Sequence, residues 1–124
     1  MNPFKLRPSL VVLAVLLSFS QLTCGAGHTD EALKHAEQAA HSVGDATAIQ
    51  EHAAEALKHI DAAKAAGEPD KEKLQHLMHG EKDLKQAVED AKHFNTPSAG
   101  SEAGDAVHHL EKARSLPQGG SPQK

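Results

Sequence analysis

Apolar residues recur at helical spacing, every three or four positions, in four stretches parted by short breaks. Leu33, Ala36, Ala40 and Val43 mark the first stripe, and Ile49, Ala53, Ala56, Leu57 and Ile60 the second. Leu74, Leu77, Leu84, Val88 and Ala91 mark the third, and Ala103, Ala106, Val107, Leu110 and Ala113 the fourth. The breaks collect glycine and proline: Ser42-Val43-Gly44-Asp45, Gly67-Glu68-Pro69-Asp70 and Asn95-Thr96-Pro97-Ser98-Ala99-Gly100. Gly44 and Gly67 suit the left-handed residue after a helix, while Asp45 and the Pro69-Asp70 pair suit the start of the next one. Helices are therefore predicted over 29–42, 46–66, 70–94 and 101–115. No alternating strand pattern competes. Connections this short make consecutive helices antiparallel, so the predicted fold is all-α, an up-down-up-down four-helix bundle. Its core is thin, because alanine supplies much of it and Phe94 is the only aromatic residue beyond Phe19.

The first 26 residues stand outside that pattern. Lys5 and Arg7 precede an apolar run from Leu10 to Phe19, and Ser20 to Ala26 are small or polar. This is the layout of a cleaved signal peptide, and the run is short for a permanent span. Cleavage near Gly25 or Ala26 and export to a bacterial periplasm are expected, leaving the bundle at 27–116 and a disordered tail at 117–124. Acylation of Cys24 would tie the chain to a membrane, but Gln21-Leu22-Thr23 fits a lipoprotein signal poorly. Cleavage after Ala26 removes the only cysteine, and with it disulfides and thiolate metal chemistry.

Without Lys5 and Arg7, 11 basic residues face 17 acidic ones, a net charge near −6 with histidine neutral. Such a surface argues against nucleic acid and anionic lipid as partners and favours cations. All ten histidines fall after residue 27. The octet His28-x-x-Glu31-Ala-Leu-Lys-His35 returns 24 residues later as His52-x-x-Glu55-Ala-Leu-Lys-His59.

At about 100° per residue, His28, His35, His52, His59, His76 and His109 each fall roughly 80–110° from the centre of their own apolar stripe, on the same rotational side. That flank is where one helix meets its neighbour. His41, His79, His93 and His108 lie further round, towards solvent. Six of the ten histidines have an acid four residues earlier: Glu31 before His35, Glu37 before His41, Glu55 before His59, Glu72 before His76, Glu89 before His93 and Asp105 before His109. Ordinary helix-supporting pairs would favour lysine and arginine equally. Yet of the 11 basic residues only Lys34 and Lys85 have an acid at that spacing. A carboxylate and an imidazole at i, i+4 offer oxygen and nitrogen donors to one divalent ion.

The densest group is Glu72, His76, His79 and Asp83 on the third helix, with further candidates at Glu89 and His93 and at Asp105, His108 and His109. Imidazole and carboxylate without thiolate suit divalent Cu, Ni, Zn or Co, and the Irving-Williams order puts Cu(II) first. Calcium is disfavoured, since no loop has the EF-hand pattern and the acids lie on helices.

The octets, together with Asp105-Ala-Val-His108-His109-Leu-Glu111, resemble the small metal-binding protein family, histidine-rich periplasmic four-helix bundles built on repeats of the form Ala-acid-His-x-x-x. The resemblance covers residues 27 to 115 and is most specific over His28 to His41 and His52 to His59. It implies binding of several divalent metals, copper foremost, and a part in periplasmic metal homeostasis. It carries over no catalytic residue. The chain departs from the repeat at Gln86 and Glu102, which stand where the register places histidine, so the third and fourth repeats are expected to bind fewer or weaker ions.

Enzymatic readings find little support. There is no C-x-x-C-H for haem attachment, and the Glu-x-x-His pattern of di-iron bundles is approached only by Asp90/His93 and Asp105/His108, which face outward. No pocket for acid–base chemistry is inferred. The chain is expected to be a monomer, and the remaining rival is an exported helical bundle whose histidines act as a pH-dependent charge bank or as an adhesive face for another protein.

Overall fold

The computed structural model describes residues 25–67 and 70–117, and all statements of structure concern those residues. The predicted signal peptide lies almost wholly outside them, as does most of the predicted tail. Four α-helices follow one another: α1 Gly25–His41, α2 Ala46–Ala65, α3 Lys71–Lys92 and α4 Thr96–Ser115. Each packs on its neighbours in sequence, and α1 closes the ring against α4, giving the all-α four-helix bundle. None of these helices is long and apolar enough to cross a membrane.

The helix starts follow from local chemistry. Asp45 caps α2 by accepting a hydrogen bond from the Ala48 amide at 3.0 Å, after Gly44 turns the chain with φ 98°. Asp70 caps α3 by accepting from the Glu72 and Lys73 amides at 2.8 and 3.1 Å. The fourth helix departs from expectation, beginning at Thr96 rather than 101. Proline is compatible with a first helical turn, whose N–H groups have no intrahelical partner anyway, so Pro97 opens the helix instead of delaying it. The Ser98 hydroxyl donates to Asp90 Oδ2 at 2.8 Å, fastening this first turn to the end of α3. Ala99 and Gly100 are then buried, and a β-carbon at Gly100 would lie 3.2 Å from Val43 Cγ2. Val43 itself lies past the end of α1 and is 64% exposed, so it does not extend that helix's core stripe.

The buried positions keep alternating steps of three and four: Thr29, Ala32, Ala36 and Ala39; Ile49, Ala53, Ala56, Ile60 and Ala63; Leu77, Gly80, Leu84, Ala87 and Ala91; Ala99, Ala103, Ala106, Leu110 and Ala113. A mean step of 3.5 keeps each seam facing its partners along the bundle. It also moves Leu74 and Val88 to the flank and puts Lys73 on the α3 core line, 1% exposed. A lysine there packs its aliphatic stem, and it lines the end of the bundle with Thr29, Asp30 and Arg114.

Of the eighteen hydrophobic core residues, twelve are alanine. Backbones can therefore approach closely, and each of the six larger side chains carries a large share of the apolar burial. Gly80 extends this logic, since a β-carbon there would meet Leu110 Cγ at 3.3 Å. Leu84→Ala is expected to lower unfolding free energy by about 2–5 kcal/mol, measured by urea denaturation, against total stabilities of about 5–15 kcal/mol for domains of this kind.

Candidate metal centre

The core lines place a histidine-bearing flank along two of the four helix–helix seams. On the α1/α2 seam, His28 faces His59 with Nδ1 atoms 3.4 Å apart. His35 stacks on both His59 and His52, with ring centroids 5.6 and 6.0 Å away. Antiparallel geometry explains the pairing: stepping seven residues up α1, from 28 to 35, is matched by stepping seven down α2, from 59 to 52. The two octets therefore run head to tail, so that the first histidine of one copy meets the last histidine of the other. On the α3/α4 seam, His76 faces His109 with Nδ1 atoms 3.3 Å apart. His79 adds a third ring, 5.0 Å from His109.

Two groups bring three ligand atoms within 4.8 Å of one another: Glu31, His35 and His59, and His76, His79 and His109. The geometry fits a small divalent ion. Two imidazole nitrogens about 2.0–2.1 Å from one tetrahedral ion lie about 3.3 Å apart, the separation of both facing pairs. His35 Nδ1 is buried and has no hydrogen-bond partner among the described residues. Leaving such an atom unpaired costs on the order of 1–3 kcal/mol, which a ligated ion would offset.

Electrostatics keep the central imidazoles in their ligating form. Burial, then the neighbouring His35 and His28, hold the His59 pKa below the usual histidine value, against the opposing pull of Glu31 and Glu55. Burial likewise lowers His109, with Asp83 opposing it and His79, His76 and His108 adding to the fall. Asp83 Oδ2 lies 3.8 Å from His109 Nε2. Glu102 is pushed the other way: burial raises its pKa, helped by the carboxylates of Asp83, Asp105 and Asp90.

The other sequence candidates sit elsewhere. Glu72 stands exposed in the first turn of α3 and is not among the donors that converge at His76, His79 and His109. Glu55 lies beside His35 and His59 and is lowered mainly by a hydrogen bond from Lys58. His41 and Glu37 are exposed, and the His41 ring contacts the Glu37 carbonyl rather than its carboxylate, at 2.7 Å. His93 forms the end of α3, with Nε2 3.2 Å from Glu89 Oε1 at the surface. His108 and Asp105 are exposed on α4, the His108 ring 6.1 Å from that of His109. Spacing along one helix relates Glu31 to His35 and His76 to His79, but it does not reveal which ring arrives from the next helix. Glu102 also escapes a search for i, i+4 pairs, since its neighbour Asp83 comes from α3.

The sequence profile of a family described as small metal-binding protein matches residues 5–113. The chain belongs to the small metal-binding protein family. No individually curated protein matches it significantly. Family membership and the two converging histidine groups agree on metal binding, and both groups have donors of the kind that hold an ion.

The lowered histidines also couple stability to pH. A histidine with a depressed folded-state pKa takes up its proton more readily when unfolded. Stability is thus intact above the unfolded value of about 6.5 and falls as pH drops through the folded values of His59 and His109. Metal-free protein is expected to lose stability between pH 7 and 5 in urea titrations, and His59→Gln to flatten that slope.

Proposed function

We propose that this protein is an exported buffer for divalent metal ions, with Cu(II) foremost and Ni(II), Zn(II) and Co(II) as further cargo, acting in the periplasm. The observation that carries this reading is the doubled arrangement of facing imidazoles, 3.4 and 3.3 Å apart on two separate seams. One such pair could arise from packing alone. Two at equivalent levels, each sharing at least one histidine with a group of three converging donors, describe a repeated binding device. Imidazole nitrogen with some carboxylate oxygen favours late first-row divalent ions, and Cu(II) heads their affinity order. The net negative charge supports cation capture. The basic, apolar and small-residue layout of residues 1–26 supports export, where a chain without metal-reactive thiols would hold ions exchangeably. Glu31 within one group and Asp83 beside the other add negative charge without requiring a thiolate.

Calorimetric titration of tag-free protein with Cu(II) at neutral pH is expected to show two strong sites. His35→Ala with His59→Ala should remove one, and His76→Ala with His109→Ala the other, while His41→Ala leaves both. No binding heat would favour the reading of the histidines as a pH-dependent charge bank, and equal losses from all three changes would mean diffuse surface binding. Bound Cu(II) at a free concentration about 100 times its Kd should add roughly 2.7 kcal/mol of stability per independent site.

Proton competition provides a separate check. Protonated imidazole cannot ligate, so metal is expected to leave progressively below about pH 6. Retention at pH 4.5, followed by dialysis and metal analysis, would show that carboxylates alone hold the ion.

A further inference from the structure

The two hairpins are copies of one another in register. A shift of 48 residues carries the buried positions Thr29, Ala32, Ala36 and Ala39 of α1 onto Leu77, Gly80, Leu84 and Ala87 of α3. A shift of 50 carries Ile49, Ala53, Ala56, Ile60 and Ala63 of α2 onto Ala99, Ala103, Ala106, Leu110 and Ala113 of α4. The same shifts carry the donors. His28 maps to His76 and His59 to His109, so the facing pair is preserved. Glu31 maps to His79 and His35 to Asp83, so acid and imidazole trade places one turn apart. Each hairpin therefore presents three imidazoles and one carboxylate at four equivalent positions.

The seams differ at the next level. His52, stacked on His35 at 6.0 Å, maps to Glu102, which stands near Asp83. The α1/α2 seam thus sets four imidazoles, His28, His35, His52 and His59, beside one carboxylate, Glu31. The α3/α4 seam sets three imidazoles, His76, His79 and His109, beside two carboxylates, Asp83 and Glu102. Imidazole-rich sets suit Cu(II) and Ni(II), whereas added carboxylates suit harder ions that take more ligands, such as Mn(II).

We propose that the two seams are duplicated sites of different metal preference, the α1/α2 seam selecting nitrogen-loving ions and the α3/α4 seam accepting oxygen-preferring ones, with the residue at position 52 or 102 setting the difference. This rests on the metal-buffering reading, and it makes Glu102 a specificity residue of the fourth helix rather than a lost histidine. A chain so built covers a wider range of ions than two identical sites would.

Single-seam proteins test it. Full-length chain with His76, His79 and His109 changed to Ala keeps only the α1/α2 seam, and chain with His28, His35 and His59 changed to Ala keeps only the other. Cu(II) affinity is read by calorimetry and Mn(II) affinity by the loss of its free-ion paramagnetic resonance signal. The ratio of Cu(II) to Mn(II) affinity is expected to be at least about tenfold higher for the α1/α2 seam. In these backgrounds Glu102→His should raise the ratio of the α3/α4 seam, and His52→Glu should lower that of the α1/α2 seam. Each substitution installs the residue already tolerated at the equivalent position, and helical circular dichroism confirms that the fold is kept. Equal ratios in both seams, unmoved by the exchanges, would overturn this inference while leaving metal buffering in place. If neither seam bound Cu(II), the metal reading itself would fall, and this one with it.

Discussion

Everything in this bundle depends on how closely its helices can lie. An imidazole is short, and two of them from neighbouring helices meet at 3.3–3.4 Å only when the backbones beneath are near. Alanine at twelve of the eighteen hydrophobic core positions permits that approach, and Gly80, packed against Leu110, extends it below the His76 and His109 pair. A leucine-filled core would be more stable on its own, but it would move the helix axes apart and separate the rings. The thin core is thus a geometric condition of the histidine groups, and its low apolar content leaves room for bound ions to contribute to stability.

The seams share the work unequally. Between α2 and α3, Lys64 reaches Glu81 at 2.5 Å, and Lys85 reaches the same carboxylate from the next turn of α3. These partners hold Glu81 well ionised and raise Lys64 in return, so this interface is satisfied by the protein's own charges. Along α1/α2 and α3/α4 the facing groups are imidazoles, which repel once protonated and offer lone pairs when neutral. The lowered pKa values of His59 and His109 favour the neutral form of these two where a metal would compete with protons.

Much of this was legible in the chain because helix periodicity is a local property. The four stripes, the turns at Gly44 and Gly67, and the flank position of His28, His35, His52, His59, His76 and His109 follow from residues a few places apart. What depends on register between helices was not legible. Pairing of His28 with His59, and of His76 and His79 with His109, needs the antiparallel alignment that spacing within one helix does not carry. Glu72 matches His76 in spacing and still is not one of the three donors that converge there. Lys73 defeats a hydropathy reading because a charged residue lies on the core line, 1% exposed. The early start of α4 was hidden by composition, since Pro97, Ser98 and Gly100 resemble a loop until Asp90 and Val43 supply their partners.

Each histidine group closes within a single hairpin, His28 with His59 and His76 with His109, across 31 and 33 residues of continuous chain. Neither needs a donor from the other half of the molecule. Loss of a donor from one hairpin therefore leaves the donor set of the other complete, so that one set could be filled or emptied while the other keeps its own donors.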